Sequence, residues 1–351
     1  MRSVVLVVPG RLDTRTGGYV YDRRMTEGLR QCGWSVEVRE LDGSFPYPAP
    51  EALEQAACVL AAVRSGTRVL VDGLALGAMP AVIEREASRL RIVALVHLPL
   101  SADISIDPDM SARLEAAERR ALGAAALVIV TGTAALPMLA EHGITRDRVV
   151  VVEPGTARAP LARGSGGTSL QLLSVATLNP NKGHEILLQA LAAVPHPCWH
   201  LTCAGSVTRH PATADRVRAA IRRFGLEERV SLVGELDDAR LLDCYDGADV
   251  FVLATLQETY GMAVAEALAH GLPVVSTTTG AIPDLVGADA GLLVPPGNTE
   301  ALAEALARVL DDAGLRARLA EGARCVRGRL PSWEQAVGKM AAALERVDAH
   351  G

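Results

Sequence analysis

Short runs of aliphatic and β-branched residues recur along the whole chain, and helical patterns separate them. Strands that are buried on both faces have this composition, whereas the helices that cover a sheet carry an apolar stripe. The alternation therefore predicts an α/β fold with parallel sheets. The predicted strands are residues 4–8, 35–40, 68–71, 92–96, 127–130, 149–152, 172–176, 200–204, 230–233, 250–254, 273–276 and 292–294.

The alternation breaks once, in a segment that is rich in Gly, Ser, Ala and Pro and has no apolar period. This composition is typical of a linker between domains. A chain of 351 residues is also longer than one hydrophobic core usually supports. We therefore predict two Rossmann-like domains, 1–155 and 171–330, joined by a linker at 156–170 and followed by a C-terminal helix in 331–351 that packs back on the first domain.

Composition excludes several classes of function. The net charge of −6 and the lack of a long basic run argue against a nucleic-acid-binding face. We expect no signal peptide, because no charged n-region precedes an apolar h-region. We also expect no transmembrane segment, because no apolar run reaches about 18 residues without a charge or turn residue. The six cysteines form no C-x-x-C pair, so we interpret them as reduced core thiols of a cytoplasmic protein. An arginine-rich run at 216–223 leaves peripheral membrane contact open, although a solvated face explains it better.

Two glutamates flank the predicted start of a helix at Gly261, with Glu258 in the preceding loop and Glu266 two turns into the helix. A helix N-terminus offers unpaired N–H groups and a partial positive charge, which together suit a phosphate. Ionised carboxylates accept hydrogen bonds from sugar hydroxyls. The arrangement indicates a ligand with phosphate between hydroxyl-rich groups, although two solvated glutamates on an amphipathic helix would have the same spacing.

Lys182 and Gly183 lie in a predicted strand-to-helix loop of the same half of the chain. Lysine is a compact cation that suits a phosphate, and glycine permits close approach of the backbone. The only other lysine is Lys339, since the chain otherwise uses arginine. The choice of lysine therefore favours a chemical demand at Lys182.

In the first half, Gly17 and Gly18 precede a predicted helix, and backbone there could approach a phosphate closely. His97 follows a predicted strand at its carboxyl end, where ligands of parallel sheets bind. A plain turn and a structural histidine would explain these residues equally well. Asp13 and Arg15, in the loop before the glycines, are candidate contacts for an acceptor.

The stretch ADVFVLATLQETYGMAVAEALAHGLPVVSTTTGAIPDLV, which contains both glutamates, resembles family 4 of the retaining glycosyltransferases, also described as glycosyl transferases group 1. The resemblance continues through GLLVPPGNTEALAEAL and back to VATLNPNKGHEILLQAL, and it is weak in the first half. It implies the GT-B architecture, in which two Rossmann-like domains face each other across a cleft. It also implies a hexosyltransferase that takes a nucleotide diphosphate sugar as co-substrate and needs no metal or other cofactor.

The resemblance also implies roles for the residues of the second half. Glu258 would bind hydroxyls of the donor sugar, and Glu266 would bind the ribose. The N–H groups of residues 261–263 would reach the sugar and phosphate, and the backbone near Leu236 would meet the base. The implied donor-binding set is Gly17, Gly18, Lys182, Leu236, Glu258, Tyr260, Gly261, Met262, Ala263 and Glu266, and the catalytic set is Glu258, His97 and Lys182.

One position departs from the family pattern. Members commonly carry Gly-Arg-Leu where this chain has Ala176-Thr177-Leu178, so one of two expected diphosphate cations is absent. Arg209 is a weak substitute for it. His97 matches a histidine that contacts the donor sugar near the transferred carbon.

We therefore predict a retaining, metal-independent glycosyltransferase that moves a sugar from a UDP- or GDP-sugar to a hydroxyl of a glycan, lipid or small metabolite. Asp237 and Asp238 are better explained as a helix cap than as a metal site. Two alternatives stay open: a sugar-nucleotide epimerase of similar fold, and a non-catalytic nucleotide-sugar-binding protein, which the missing arginine favours. The sequence identifies neither the sugar, nor the acceptor, nor the oligomeric state.

Overall fold

A computed structural model describes residues 2–102 and 107–347 of the chain. The chain divides into two compact units, one formed by residues 1–155 with 331–351 and the other by residues 156–330. Each unit contains one six-stranded sheet in which every pair of neighbouring strands is parallel. The predicted α/β fold class is confirmed.

The strands follow the predicted apolar runs closely, with boundaries that differ by a few residues. Those of the first unit are β1 Ser3–Pro9, β2 Ser35–Leu41, β3 Arg68–Asp72, β4 Arg91–Val96, β5 Leu127–Val130 and β6 Val149–Val151. Those of the second unit are β7 Leu170–Val175, β8 Trp199–Ala204, β9 Val230–Gly234, β10 Val250–Val252, β11 Val274–Thr277 and β12 Gly291–Val294.

Helices connect successive strands in both units, as parallel pairing requires. Those of the first unit are α1 Gly17–Gln31, α2 Pro50–Ala61, α3 Gly73–Ala78, α4 Pro80–Glu86, α5 Pro108–Ala124 and α6 Leu136–Glu141. Those of the second unit are α7 His184–Ala193, α8 Pro211–Arg223, α9 Asp238–Asp246, α10 Met262–Ala269, α11 Ile282–Val286, α12 Thr299–Asp311 and α13 Ala313–Arg327. The last helix, α14 Trp333–Arg346, belongs to the first unit.

The strand order places a topological switch in each sheet. The first sheet runs β2-β1-β3-β4-β5-β6, so its order reverses between β1 and β3. The second runs β12-β11-β10-β7-β8-β9, so its order reverses between β10 and β7. Ligands of open α/β sheets bind outside the carboxyl ends of the strands at such a switch. The loops after β1, β3, β7 and β10 are therefore the expected binding loops.

Both faces of the second sheet are buried. On β7, Leu172 belongs to one apolar cluster and Leu173 to another. On β10, Val250 and Val252 point into the first cluster, while Phe251 points into the second. Successive side chains of a strand point to opposite faces, so each cluster covers one face of the sheet. This accounts for continuous apolar runs in place of alternation.

Helix α14 is held against α1 within the first unit. A Cβ added at Gly28 on α1 would clash with the side chain of Val337 on α14. At the start of α14, the Trp333 ring meets Tyr21 edge-on at a centroid distance of 6.1 Å. Ser332 caps the helix and forms a capping box with Gln335. The absence of a side chain at Gly28 therefore allows α1 and α14 to pack closely together.

Two expectations from the sequence need correction. Cys203 is buried, but four cysteines lie at the surface, so the interpretation as core thiols was wrong for Cys32, Cys58, Cys198 and Cys325. Cys58 and Cys325 lie on the solvent-facing sides of α2 and α13, which are mixed in polarity. Helix α1 begins at Gly17, so both glycines of the predicted loop lie in its first turn.

Two features concern contact with a membrane: the hydropathy of the helices and the partners of the arginine-rich run. No helix in the described parts of the chain has the length and hydropathy to cross a membrane. In the arginine-rich run, Arg216 pairs with Glu185 and Arg218 pairs with Asp215, each at 2.9 Å. These exposed pairs are typical of a solvated face.

Candidate functional site

The switch point of the second sheet brings together the two charged residues that the sequence analysis placed in separate loops. Lys182 follows β7 and Glu258 follows β10, and Lys182 Nζ lies 2.6 Å from Glu258 Oε2. The other carboxylate oxygen of Glu258 accepts from the Thr259 N–H at 3.2 Å. Both side chains are partly exposed, at 23% and 18%, so a ligand can reach them.

Backbone contacts hold the two loops together. The Leu256 N–H donates to the Asn181 carbonyl at 2.7 Å, and Thr255 Oγ1 donates to the same carbonyl at 3.0 Å. Gly183 has a left-handed conformation with φ of 61°. A Cβ added at Gly183 would also clash with the Ala254 carbonyl, so only glycine permits this approach. The Lys182–Glu258 pair therefore stands on two loops that are tightly joined.

Helix α10 begins beside this pair. Gly261 is its N-cap residue and has φ of 99°, a conformation that favours glycine. Met262 and Ala263 occupy the first turn, where N–H groups lack partners within the helix. The Tyr260 ring is buried in a small cluster with Ala265 and Ala281, so it supports the helix start by packing.

Glu266 is held by a neighbour that the sequence analysis missed. The Tyr245 hydroxyl donates to Glu266 Oε2 at 3.0 Å. The Tyr245 ring is buried, and it stacks on His270 at 4.7 Å and on Phe251 at 6.4 Å. Because the hydrogen bond fixes one carboxylate oxygen, the orientation of Glu266 is set by the core.

The loops after β8 and β9 contain the remaining candidate residues of the second unit. Leu236 lies between β9 and α9, half-buried. Asp237 caps α9 by accepting from the Arg240 N–H at 2.9 Å, which confirms its interpretation as a helix cap. Arg209 Nε lies 3.7 Å from Oε1 of Glu235, the residue that precedes Leu236 in the chain. Arg209, the weak substitute for the missing arginine, is thus paired with a carboxylate.

At the switch point of the first sheet, His97 contacts two carboxylates. His97 Nε2 lies 3.1 Å from Asp22 Oδ1 on α1 and 3.5 Å from Asp72 Oδ2 at the end of β3. Both aspartates are almost fully buried, whereas His97 is partly exposed. A Cβ added at Gly18 would lie 3.3 Å from His97 Cδ2, so the glycine allows α1 to pack on the imidazole.

The cluster of Asp22, Asp72 and His97 is electrostatically coupled. Burial together with the charge of Asp22 raises the pKa of Asp72 to about 7. Burial lowers the pKa of His97, but the two carboxylates outweigh this effect and hold that pKa above its ordinary value. Among the described residues this is the one cluster whose ligand atoms are close enough to hold a metal ion, all within 4.8 Å of one another. Metal independence therefore stays a prediction.

The candidate acceptor contacts lie at the surface. Asp13 forms an exposed ion pair with Arg11, in which Nη2 lies 2.8 Å from Oδ2. The hydrogen bond from Arg11 lowers the pKa of Asp13. Arg15 is exposed in the same loop after β1. Asp13 is paired with Arg11 and is not among the charged groups that act on His97.

Sequence comparison finds a family match that lies within the second unit. Residues 162–326 match the profile of the family described as Glycosyl transferases group 1. The chain is 31% identical over 250 residues to the D-inositol 3-phosphate glycosyltransferase of Xylanimonas cellulosilytica. The alignment covers 66% of this chain and 60% of that relative, so the chain spans about three fifths of its length.

Solved structures resemble the chain over its whole length. The sucrose-phosphate synthase of Thermosynechococcus elongatus is 21% identical, with a TM-score of 0.85 and 100% of each chain covered. HepE of Anabaena in complex with UDP-glucose is 18% identical, with a TM-score of 0.76 over 98% of this chain and 99% of that one. At these identities the likeness concerns the fold.

Proposed function

We propose that this chain, which has the GT-B fold, is a member of the glycosyl transferases group 1 and transfers a sugar from a nucleotide diphosphate sugar to a hydroxyl acceptor. In this proposal the second unit holds the donor and the first unit holds the acceptor. The unpaired state of all six cysteines supports a cytoplasmic location as part of the same proposal.

The observation that carries the proposal is the Lys182–Glu258 pair at the switch point of the second sheet. It unites a cation for the diphosphate with a carboxylate for sugar hydroxyls, beside the N-terminus of α10. Glu266, held by Tyr245, lies in the second turn of α10 and suits the ribose hydroxyls. Along the chain, the helix N-terminus thus lies between the two carboxylates, and this order matches a ligand in which phosphate is flanked by two sugars.

The proposed reaction retains the anomeric configuration. The bond between the anomeric carbon and the diphosphate oxygen breaks, and a bond to the acceptor oxygen forms on the same face of the sugar. The hydroxyl proton of the acceptor passes to an oxygen of the leaving phosphate. Negative charge grows on the diphosphate, and Lys182 with the first turn of α10 would stabilise it. This scheme uses fixed donors of the chain and requires no metal.

A UDP- or GDP-sugar is the proposed donor class. HepE of Anabaena, which shares the fold, was solved in complex with UDP-glucose. The backbone around Leu236 is the proposed contact of the base, beside the Arg209–Glu235 pair. The epimerase and the non-catalytic binding protein gain no support from relatives whose names describe glycosyl transfer.

A thermal-stability panel tests the donor site. The full chain would be melted with UDP, GDP, ADP, TDP and NAD, each first with EDTA and then with magnesium. A ligand at about 100 times its dissociation constant stabilises the folded state by about 2.7 kcal/mol. We expect one nucleoside diphosphate to raise the melting temperature without metal, and Glu258→Ala to abolish transfer from the matching sugar nucleotide. Stabilisation by NAD alone, or wild-type turnover in Glu258→Ala, would refute the proposal.

A further inference from the structure

The His97 imidazole is held by residues of two elements of the first unit, α1 and β3. Its Nε2 meets Asp22 on α1 and Asp72 at the end of β3, at 3.1 and 3.5 Å. Gly18 packs against the Cδ2 edge of the ring, and the Tyr21 ring meets it edge-on at a centroid distance of 5.3 Å. The ring therefore has little freedom to rotate or flip.

These contacts distinguish the two ring nitrogens. An ionised carboxylate only accepts hydrogen bonds, so Nε2 must carry a proton to bond Asp22 Oδ1. Nδ1 lies on the opposite edge of the imidazole, away from Gly18 and both carboxylates. In the described chain the hydrogen bonds of the ring all use Nε2. Nδ1 is thus the nitrogen left for a bound molecule.

We propose that Asp22 and Asp72 are positioning residues that hold His97 by Nε2–H, so that Nδ1 is left to contact an oxygen of a bound substrate. The role of His97 toward a substrate rests on the proposed function. The role of the two aspartates rests on the geometry of the first unit alone.

The charges of the cluster suit a donating Nδ1–H. Asp22 and Asp72 are the charged groups that act on His97 within the described residues, from α1 and from β3. They raise the pKa of His97 despite its burial, which favours the imidazolium form. Asp72, whose burial and neighbour Asp22 raise its pKa to about 7, can hold a proton itself and so limits the buried negative charge. An imidazolium presents Nδ1–H as a donor to a hydroxyl or phosphoryl oxygen.

Spectroscopy of the full chain tests the positioning role directly. Histidine labelled with 15N would be observed in long-range proton–nitrogen spectra across a pH titration, with His97→Gln used to assign the His97 signals. We expect the wild type to keep Nε2 protonated throughout the titration. Asp22→Asn keeps an oxygen that can accept from Nε2–H but removes the charge, so the His97 pKa should fall by about 1 unit. Asp22→Ala should in addition release the ring and mix the tautomers.

Transfer kinetics supply the second readout. In Asp22→Asn, we expect kcat to fall about tenfold at neutral pH, with the pH profile displaced by the same amount as the His97 titration. Asp72→Asn should act in the same direction, while its side-chain oxygen still caps α3 through the Leu74 N–H. Glu115→Gln is the matched control, because it removes a carboxylate 3.7 Å from a different histidine, the buried His142. That control should leave the His97 spectrum and the rate unchanged.

Each contrary result overturns a defined part of the inference. A wild-type His97 protonated at Nδ1 and not at Nε2, or an unchanged titration in Asp22→Asn, would refute the positioning role. A stoichiometric metal in the purified wild type that is lost in Asp22→Asn would show a metal site in its place. If the wild type transfers no sugar while the spectra behave as expected, the proposed function fails and the positioning of His97 stands.

Discussion

The Lys182 ammonium lies 2.6 Å from the Glu258 carboxylate, across two loops that are 76 residues apart in the chain. Each is thereby the counter-ion of the other. A bound donor would place its phosphate on Lys182 and its sugar on Glu258. Each of the two side chains would then have a group of the donor as a second partner. The pair should therefore matter more for turnover than for stability.

Replacing either partner tests this expectation. Lys182→Ala and Glu258→Gln should each lower kcat/KM by at least about 100-fold, because each removes a fixed charge that faces the reacting donor. The free energy of unfolding should change by only about 1–2 kcal/mol, since both side chains reach solvent. The matched control is Lys339→Ala, which removes the other lysine, itself paired with Glu153 at 3.8 Å. Equal losses of activity in Lys182→Ala and Lys339→Ala would contradict a specific role for Lys182.

Tyr245→Phe tests the orientation of Glu266. The variant keeps the ring that stacks on His270 and Phe251 but removes the hydroxyl that donates to Glu266 Oε2 at 3.0 Å. The carboxylate then loses one fixed contact, and we expect the KM for the donor to rise about fivefold to tenfold, which corresponds to one hydrogen bond. Initial-rate kinetics at saturating acceptor would measure it. Tyr47→Phe, at an exposed position, is the control; a rise of the same size there would argue against the role of Tyr245.

The sequence predicted the parts of the fold and site that local patterns encode. Buried apolar runs identified the strands, because a strand covered on both faces needs apolar residues at successive positions. Lys182, Glu258 and Glu266 were chosen as candidates from their residue types and their predicted positions in two loops and on a helix. Asp22 was missed, because its partnership with His97 joins residues 75 apart and depends on how α1 packs over the carboxyl ends of the strands.

The start of α1 shows how tertiary packing overrides local preference. Two successive glycines disfavour a helix, and the sequence therefore predicted a loop at Gly17 and Gly18. In the structure both lie in the first turn of α1. A Cβ at Gly18 would come within 3.3 Å of the His97 ring, so the small residue allows the helix to approach the histidine. Asp72 could have been identified as a candidate site residue from the sequence, since it follows a predicted strand just as His97 does.

Gly280→Ala tests the support beneath Glu258. Gly280 has φ of 59°, and an added Cβ would clash with the Glu258 carbonyl, so the substitution should displace the loop and weaken donor binding. Gly287→Ala is the matched control, because Gly287 has φ of 63° but nothing within 4 Å of an added Cβ. In the control, the free energy of unfolding should fall only by the cost of a left-handed conformation at alanine, about 1–2 kcal/mol. Denaturant unfolding and donor titration would compare them, and equal effects of the two variants would refute this account.

Glu118 should make the stability of the first unit depend on pH. Both of its carboxylate oxygens lie near the Leu100 N–H, at 3.2 and 3.1 Å, and burial raises the pKa of the group from 4.5 to about 7. Between these two values the folded state binds more protons at Glu118 than the unfolded state. Its contribution to stability is therefore full below pH 4.5 and is lost as the pH rises toward 7.

Glu118→Gln removes this dependence while its amide oxygen can still accept from the Leu100 N–H. Relative to the wild type at the same pH, the variant should gain unfolding free energy as the pH rises from about 5 to about 8. Comparison at each pH cancels the contributions of all other titrating groups, including Asp72. Urea denaturation at both values measures the difference. A variant that tracks the wild type at a constant offset would show that Glu118 keeps its ordinary pKa in the folded protein.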